Sequence, residues 1–352
     1  MKKLLLGIAA VCLAGFTFAQ DAPLWMRHSV ISPDGTTIAF TYKGDIYTVP
    51  VAGGRAMQIT TNPAYDTAPV WSPDSKRIAF ASDRMGSLDV YIVAKDGGEP
   101  RRLTTHSGSE TPLAFTDAGH VLFSAGIMPS AEAVVFPSNG QFNQVYRVSV
   151  EGGRPTMISS MPMECISINK EGAMLYQDKK GYEDYWRKHH VSPIARDIWM
   201  YTPGKEPQYR QLTTFGGEDR EPVWAPDGKT FYYLSEENGS FNIYRRTPGD
   251  AKAVQLTHYT KNPVRYLSAA TDGRLCYGFD GEIYTLLPGG EAQKVNISIV
   301  SDRNDKDIIR QIKSSGATEM AVSPDGKEVA FVLRGDVYVT SVEYKTTKQR
   351  SE

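Results

Sequence analysis

Three carboxylates recur at matching places in the chain and could together form a charged binding site. Each stands five residues before an aromatic residue: Asp66 before Trp71, Glu110 before Phe115 and Asp219 before Trp224. If all three reach the mouth of one channel, they would form an acidic ring that attracts a cation or the amino terminus of a peptide. The alternative is that each carboxylate caps a local turn, since Asp bonds readily to nearby backbone amides. The spacing leaves both interpretations open.

Aromatic and charged side chains are concentrated in a second segment, in the middle of the chain. This candidate interaction loop contains Tyr182, Tyr185, Trp186, Arg187, His189 and His190. Tyr, Trp and Arg are enriched among the side chains that anchor interfaces, so we predict contact with a neighbouring domain or another protein. The alternative is a loop that packs on its own sheet. The adjacent histidines do not predict a metal site, because neighbours on an extended strand point to opposite faces.

The sequence contains no recognisable catalytic centre. A Gly-x-Ser-x-Gly nucleophile motif does not occur in it. Its histidines are scattered along the chain: His28, His106, His120, His189, His190 and His258. We therefore predict no catalytic residue, no metal and no cofactor, and we leave open whether the protein is an enzyme.

The elements that must position these residues follow from a repeat of three short phrases in fixed order. The first is a turn phrase: Ser32-Pro33-Asp34-Gly35, Ser72-Pro73-Asp74-Ser75, Ala225-Pro226-Asp227-Gly228 and Ser323-Pro324-Asp325-Gly326. The second ends in an aromatic residue: Asp45-Ile46-Tyr47, Asp89-Val90-Tyr91, Gln144-Val145-Tyr146, Asp197-Ile198-Trp199, Asn242-Ile243-Tyr244, Glu282-Ile283-Tyr284 and Asp336-Val337-Tyr338. The third closes the unit: Ile59-Thr60-Thr61, Leu103-Thr104-Thr105, Ile158-Ser159-Ser160, Leu212-Thr213-Thr214 and Leu256-Thr257-His258.

Each phrase has a structural meaning. Pro-Asp-Gly favours a tight turn between antiparallel strands. The β-branched and aromatic segments that follow it are typical of strands. Units of roughly 40 to 50 residues with four strands each are typical of β-propeller blades. The sequence therefore predicts an all-β protein, a β-propeller.

The number of blades admits two interpretations. In the first, residues 22–297 form a six-bladed propeller, residues 298–317 are a linker, and residues 318–352 are an incomplete blade that opens a second propeller. In the second, residues 22–28 supply the missing outer strand of that blade and close a seven-bladed ring. The polar run from Ser301 to Asp307 resembles a linker and favours the first interpretation.

The N-terminus predicts export. Two lysines precede an apolar run that ends at Ala19, which is typical of a signal peptide over residues 1–19. Cys12 follows Val11, where a lipoprotein signal requires a small residue, so we interpret it as part of the apolar run. We expect a periplasmic or secreted protein without membrane insertion after cleavage. Cys165 and Cys276 are predicted to be free, buried thiols, because the repeat places them in non-adjacent blades.

Overall charge bears on the partners. The formal net charge of −1 gives no electrostatic argument for binding nucleic acid. Peptides or proteins are the expected partners.

The repeat resembles those of the TolB and tricorn-protease propellers. Six units followed by a polar linker and a further unit are similar to the start of tricorn, as is the Trp-bearing excursion in the fourth unit. Tricorn-like proteins are serine peptidases in which propellers precede the catalytic part, and the catalytic segments have no counterpart in this sequence. The resemblance implies a non-catalytic module of an exported tricorn-like peptidase that guides peptides or contacts other proteins. It further implies a peptidase domain or a second copy of the chain as partner.

Two other functions remain as alternatives. One is a TolB-like periplasmic scaffold that binds proteins. The other is a propeller enzyme such as a lyase or a glycosidase, in which acids, histidines and arginines usually gather around the channel.

Overall fold

The computed structural model describes residues 23–126, 142–181, 191–300, 313–344 and 347–349. These residues form thirty β-strands, and none of them is helical. Most of the strands belong to seven four-stranded antiparallel sheets in which chain order and spatial order agree. The predicted all-β propeller class is confirmed. In the described ranges no helical segment capable of spanning a bilayer is found, and the predicted signal peptide lies outside these ranges.

Six sheets follow one another along the chain. The first three are β1 (Arg27–Ile31), β2 (Thr37–Tyr42), β3 (Asp45–Pro50) and β5 (Met57–Gln58); β6 (Asp66–Trp71), β7 (Arg77–Ser82), β8 (Asp89–Ala94) and β9 (Arg101–Arg102); and β10 (Glu110–Asp117), β11 (His120–Ala125), β12 (Gln144–Ser149) and β13 (Thr156–Ser159). The next three are β14 (Met163–Ile168), β15 (Met174–Asp178), β16 (Ile198–Thr202) and β17 (Gln208–Gln211); β18 (Asp219–Trp224), β19 (Phe231–Ser235), β20 (Asn242–Arg246) and β21 (Val254–Gln255); and β22 (Arg265–Ala269), β23 (Leu275–Phe279), β24 (Glu282–Leu286) and β25 (Gln293–Lys294).

The turn phrase folds as its residues dictate. The Asp34 carboxylate accepts hydrogen bonds from the Ser32 hydroxyl (2.5 Å) and the Thr36 amide (3.0 Å). Gly35 has a φ of +71°, a left-handed conformation that glycine adopts without strain. Asp74 and Asp325 accept the same serine hydroxyl bond, whereas Asp227, whose copy has Ala225 in place of the serine, accepts the Lys229 amide. These aspartates therefore belong to turn structure.

The second and third phrases bind each sheet together. The aromatic residue of the third strand lies directly opposite an aromatic residue of the second strand, as Tyr91 does with Phe80 at 5.9 Å between ring centroids. The threonine of the closing phrase accepts a hydrogen bond from the third strand: the Val90 amide donates to the Thr104 hydroxyl at 2.9 Å. The same bond joins Ile46 to Thr60, Ile198 to Thr213 and Ile243 to Thr257.

The six sheets stand in cyclic order. Their first strands contact one another in the sequence β1, β6, β10, β14, β18 and β22, and β22 contacts β1. We refer to these six sheets as the ring and number them one to six. A short parallel pair lies between sheets six and one, where β26 (Ile297–Ser298) pairs with β4 (Gly54–Arg55).

The two ends of the ring differ. One end, which we call the loop end, carries the starts of the first strands, the ends of the second strands and the starts of the third strands. The connections between second and third strands span residues 43–44, 83–88, 126–143, 179–197, 236–241 and 280–281, of which 127–141 and 182–190 lie outside the described residues. The Pro-Asp-Gly turns lie at the opposite end.

A seventh sheet follows the ring and contacts its loop end. Its strands are β27 (Ala317–Val322), β28 (Glu328–Leu333), β29 (Asp336–Ser341) and β30 (Thr347–Gln349). β30 completes this sheet, whereas the seven-bladed interpretation expected residues 22–28 to do so. Glu319 forms an ion pair with Arg27 of β1 at 2.5 Å, and the Arg334 guanidinium donates to the Pro63 carbonyl at 3.0 Å.

Candidate functional site

The three carboxylates predicted from the spacing all lie at the loop end. Asp66, Glu110 and Asp219 are the first residues of β6, β10 and β18, and they are 0%, 1% and 1% exposed. Their backbone amides donate hydrogen bonds to the preceding sheet of the ring: Asp66 to Gly44 (2.7 Å), Glu110 to Leu88 (2.7 Å) and Asp219 to Arg196 (3.0 Å). The structure therefore places each of them in the junction between two consecutive sheets.

The side chains of these residues face acidic neighbours of the preceding sheet. Asp66 lies close to Asp45, Glu110 to Asp89 and Asp219 to Asp197. Arg84 binds both oxygens of Asp66, at 3.1 and 3.0 Å, and its guanidinium lies 4.6 Å from the Tyr91 ring centroid. Neither interpretation of the sequence predicted that these carboxylates are buried between two sheets. An acidic ring open to a ligand stays a prediction.

The candidate interaction loop lies outside the described residues. This applies to Tyr182, Tyr185, Trp186, Arg187, His189 and His190 alike. Its flanking residues, Gly181 and Val191, are at the loop end beside sheets four and five. Within the described ranges no group of three or more His, Cys, Asp or Glu residues could hold a metal ion.

A buried ionic cluster, which sequence reasoning missed, joins sheets four and five. Arg196 bridges Glu164 at 3.1 Å and Glu218 at 3.5 Å, and Arg220 binds Glu218 at 2.6 Å. Arg196, Glu218 and Arg220 are at most 6% exposed. Burial alone would raise the pKa of Glu164, but Arg196 and its other partners hold that pKa below its usual value. Lys179 lies 3.4 Å from Glu164, so the acids and the basic side chains form one network of opposite charges.

A signal for this cluster is present in the sequence. Arg220 and Glu221 occupy positions of a first strand where the equivalent residues of sheet two are Thr67 and Ala68. Charge on a strand that lines the channel requires partners, because a buried unpaired charge is costly. Comparing the first strands with one another could have found it.

The first strands also share an unusual backbone position. In five of the six, a non-glycine residue three positions before the end of the strand has a left-handed φ between 49° and 58°. These residues are His28, Ala68, Cys165, Glu221 and Tyr266. At the equivalent position sheet three has Pro112, whose ring fixes φ at a negative value. The strand pairing shifts register at these places, which marks a β-bulge.

The bulged residue of sheet one, His28, contacts side chains of both neighbouring sheets. The Thr67 hydroxyl lies 3.1 Å from Nδ1 of His28, and the Tyr266 ring lies 5.0 Å from the His28 ring at a tilt of 53°. Burial and the adjacent Arg27 lower the pKa of His28 to about 4, so its imidazole is neutral at physiological pH.

Cys165 occupies another of these bulged positions. Its thiol is free and exposed, whereas Cys276 is free and buried. The expectation of two buried thiols is therefore right for Cys276 and wrong for Cys165, because the sequence did not reveal the bulge. The surrounding protein and the negative charges of Glu221 and Glu164 raise the pKa of the Cys165 thiol. A protonated thiol is a poor nucleophile, so this position carries no activated cysteine.

The fold and this channel define a β-propeller domain. Residues 23–292 match the family model described as the tricorn protease N-terminal β-propeller domain. The chain belongs to this family.

Named relatives agree with this assignment. Tricorn protease homolog 1 of Streptomyces coelicolor is 26% identical over 289 residues, which cover 81% of this chain and 26% of the relative. The tricorn protease of Thermoplasma acidophilum is 25% identical over 333 residues, covering 91% and 29%. A crystal structure of the tricorn protease superposes with a TM-score of 0.68 at 20% identity, covering 94% of this chain and 31% of that one. The chain thus spans between a quarter and a third of the length of these relatives.

Proposed function

We propose that this chain is a non-catalytic propeller module of an exported tricorn-like serine peptidase, and that it guides peptides or contacts the other parts of that enzyme. Membership of the tricorn N-terminal propeller family supports the proposal.

The observation that carries the proposal is the concentration of binding features at the loop end. The two longest connections between second and third strands, residues 126–143 and 179–197, leave the ring there. The ionic cluster around Arg196 lies at the same end, and so does the seventh sheet through Glu319 and Arg334. Because the ionic cluster is buried, a partner that approaches this end would reach the connections and the seventh sheet and not the cluster itself.

We also propose a domain organisation. Residues 22–297 form a closed six-bladed ring, and residues 318–352 begin a second unit. Contact between β22 and β1 supports closure, as does the pairing of Ile297 with Gly54. The linker over residues 298–317 stays a prediction, and Ile299 at its start packs in the same core cluster as Ile297.

The test measures peptide binding and peptide hydrolysis on the same purified protein. We expect a library of short unstructured peptides to bind and to remain uncleaved. Replacing Trp186 and Arg187 by alanine should weaken binding about tenfold or more if the candidate interaction loop holds the peptide. The measurement is fluorescence anisotropy of labelled peptides, with mass spectrometry for cleavage products.

A matched control uses the same kinds of side chain on the same sheet. Tyr209 and Arg210 lie exposed on β17, and their double alanine variant should bind like the wild type. Cleavage that co-purifies with the chain and is lost on mutating its own residues would show that the module is catalytic. Equal loss of binding in both double variants, with a lowered melting temperature, would show that the loop only packs on its own sheet.

A further inference from the structure

Acidic side chains meet in pairs at three junctions of the ring. Each pair joins a carboxylate at or beside the start of a third strand to the carboxylate that begins the next sheet. The pairs are Asp45 with Asp66, Asp89 with Glu110, and Asp197 with Asp219. Two like charges so close in a buried place repel each other strongly.

One member of each pair has a cationic partner. Arg84 binds Asp66 at 3.0 Å, Arg102 binds Asp89 at 2.8 Å, and Lys180 binds Asp197 at 2.5 Å. Each pair therefore has one cation next to it, and in the third junction Lys180 also lies 3.6 Å from a further carboxylate, Asp178. If both carboxyl groups of a pair were ionised, every one of these junctions would hold an uncompensated negative charge.

Carboxyl oxygens in two of the three pairs lack hydrogen-bond donors. Both oxygens of Asp89 and Glu110, and Oδ1 of Asp197 and Asp219, are buried without a partner in hydrogen-bonding geometry among the described residues. Asp45 is better served, with the Gln58 amide at 3.1 Å and the Thr60 hydroxyl at 3.3 Å. A buried carboxylate without donors is costly in its ionised form.

We propose that Asp45, Glu110 and Asp219 each hold a proton in the folded ring at mildly acidic pH and release it as the pH rises through neutrality. One proton in each pair removes the repulsion between its two carboxylates. It also leaves one negative charge for the cation beside that pair.

The pKa values of Asp45, Glu110 and Asp219 agree with this proposal. Burial, followed by the charge of the neighbouring acid, raises the pKa of Asp45 to about 7. Burial raises the pKa of Asp219 to about 7, and that of Glu110 likewise to about 7.

Other groups face the pairs and partly oppose these shifts. Around the Asp45 carboxyl they are Thr60, Gln58 and the distant Arg334 of the seventh sheet. The Thr104 side chain and the His106 amide lower the pKa of Glu110. The Ser235 and Thr213 side chains lower the pKa of Asp219, and the charge of Glu237 raises it.

A metal ion fits these places less well than a proton. Calcium and magnesium require six or more oxygen ligands, or several retained waters, and each junction offers two carboxyl groups. The Glu110 carboxyl lies within hydrogen-bonding reach of the Asp89 carboxyl, which suits a proton between them.

The other three junctions of the ring provide an internal control. An apolar residue stands in the position of Asp66 in each of them: Met26 and Val264 directly before β1 and β22, and Met163 as the first residue of β14. Met26 and Val264 make the same backbone bond to the preceding sheet, at 3.2 and 3.0 Å. The architecture of a junction therefore does not require a carboxylate, and the acidic pairs are an addition to it.

The sign of the pH effect follows from proton binding. Carboxyl groups of an unfolded chain titrate near pH 4. Because the folded groups keep their protons up to a pH of about 7, the folded ring binds more protons than the unfolded chain between these values. Stability should therefore fall as the pH rises from about 4 to about 7 and level off above it. His28 acts in the opposite direction, because its pKa is lowered on folding.

The test compares the wild type with the variant Asp45→Asn, Glu110→Gln, Asp219→Asn in the full chain. We expect the melting temperature of the wild type to fall between pH 5 and pH 8, and the variant to lose most of this slope and to exceed the wild type at pH 8. Calorimetry near pH 5.5, in buffers of different ionisation enthalpy, measures the protons released on unfolding. We expect about three from the wild type and about none from the substituted positions of the variant. Taking the difference between the two proteins removes the contribution of His28.

A control variant and single substitutions make the result decisive. Glu282→Gln alters an acid at a junction without a pair, where Glu282 binds Lys294 at 2.5 Å, and should keep the wild-type slope. If the triple variant does not fold, each single variant should release about one proton fewer than the wild type. An unchanged slope and proton count in the variants would overturn the proposal. A rise in the wild-type melting temperature with added calcium, absent from the triple variant, would overturn it in favour of a bound cation.

Discussion

Sheet two and the seventh sheet carry the same sequence repeat but have different surroundings. In sheet two, Phe80 and Tyr91 stack at 5.9 Å and are 0% and 3% exposed. In the seventh sheet, Phe331 and Tyr338 stack at 5.5 Å in the same register, yet both remain partly exposed. The repeat is thus sufficient for strand order and cross-strand pairing, whereas burial requires a neighbouring sheet on each side.

The sharpest way to break this comparison is to remove the equivalent tyrosine from each sheet. Tyr91→Ala should lower the free energy of unfolding by about 3–5 kcal/mol, because it empties a packed space between sheets. Tyr338→Ala should cost about 1 kcal/mol, since the side chain loses little burial. Denaturant titration of both variants measures the difference, and equal losses would contradict the contrast between the two sheets.

Shortening the chain tests whether the ring depends on the seventh sheet. A chain that ends at Val300 should unfold cooperatively, because β26 and the buried Ile299 remain in place. A chain that ends at Lys294 should lose roughly 4–8 kcal/mol, since it lacks the buried Val295, Ile297 and Ile299.

Thermal unfolding followed by circular dichroism distinguishes the two shortened chains. A broad, uncooperative transition in the longer one would mean that the seventh sheet is an integral part of the ring.

The smallest expected effect concerns the contact between the two regions. Arg27 and Glu319 form a partly buried pair, for which a coupling energy of about 0.5–1.5 kcal/mol is typical. A double-mutant cycle with Arg27→Gln and Glu319→Gln should give this value at low salt and less at high salt. No coupling at low salt would indicate that the seventh sheet is held elsewhere.

Local features of the fold were predictable from the sequence. The aspartate of each turn phrase acts within a few residues of itself, as Asp34 does with Ser32 and Thr36. The aromatic residue of the third strand meets its partner one hairpin away. Such contacts depend on spacing, and spacing is visible in the sequence.

The surroundings of the candidate site were harder to predict from the sequence. The distance from Asp66 to Trp71 identified the first residue of an inner strand, but its neighbour Asp45 comes from another sheet and Arg84 from a loop. The exposure of Cys165 depends on a left-handed backbone conformation, which the residue type at that position does not indicate. Contacts between sheets depend on register and bulges, which a single sequence does not specify.

The parallel pairing of β26 with β4 determines where the ring would yield to a pulling force. The segments on either side of the ring, ending at Met26 and beginning at Val300, both leave it at the boundary between sheets six and one. Tension applied through them loads the Ile297–Gly54 pairing first, together with the bond from the Met26 amide to the Gly281 carbonyl at 3.2 Å. The other junctions would carry the load only after this boundary has separated. Under tension the ring would therefore open first between sheets six and one, before any single sheet unfolds.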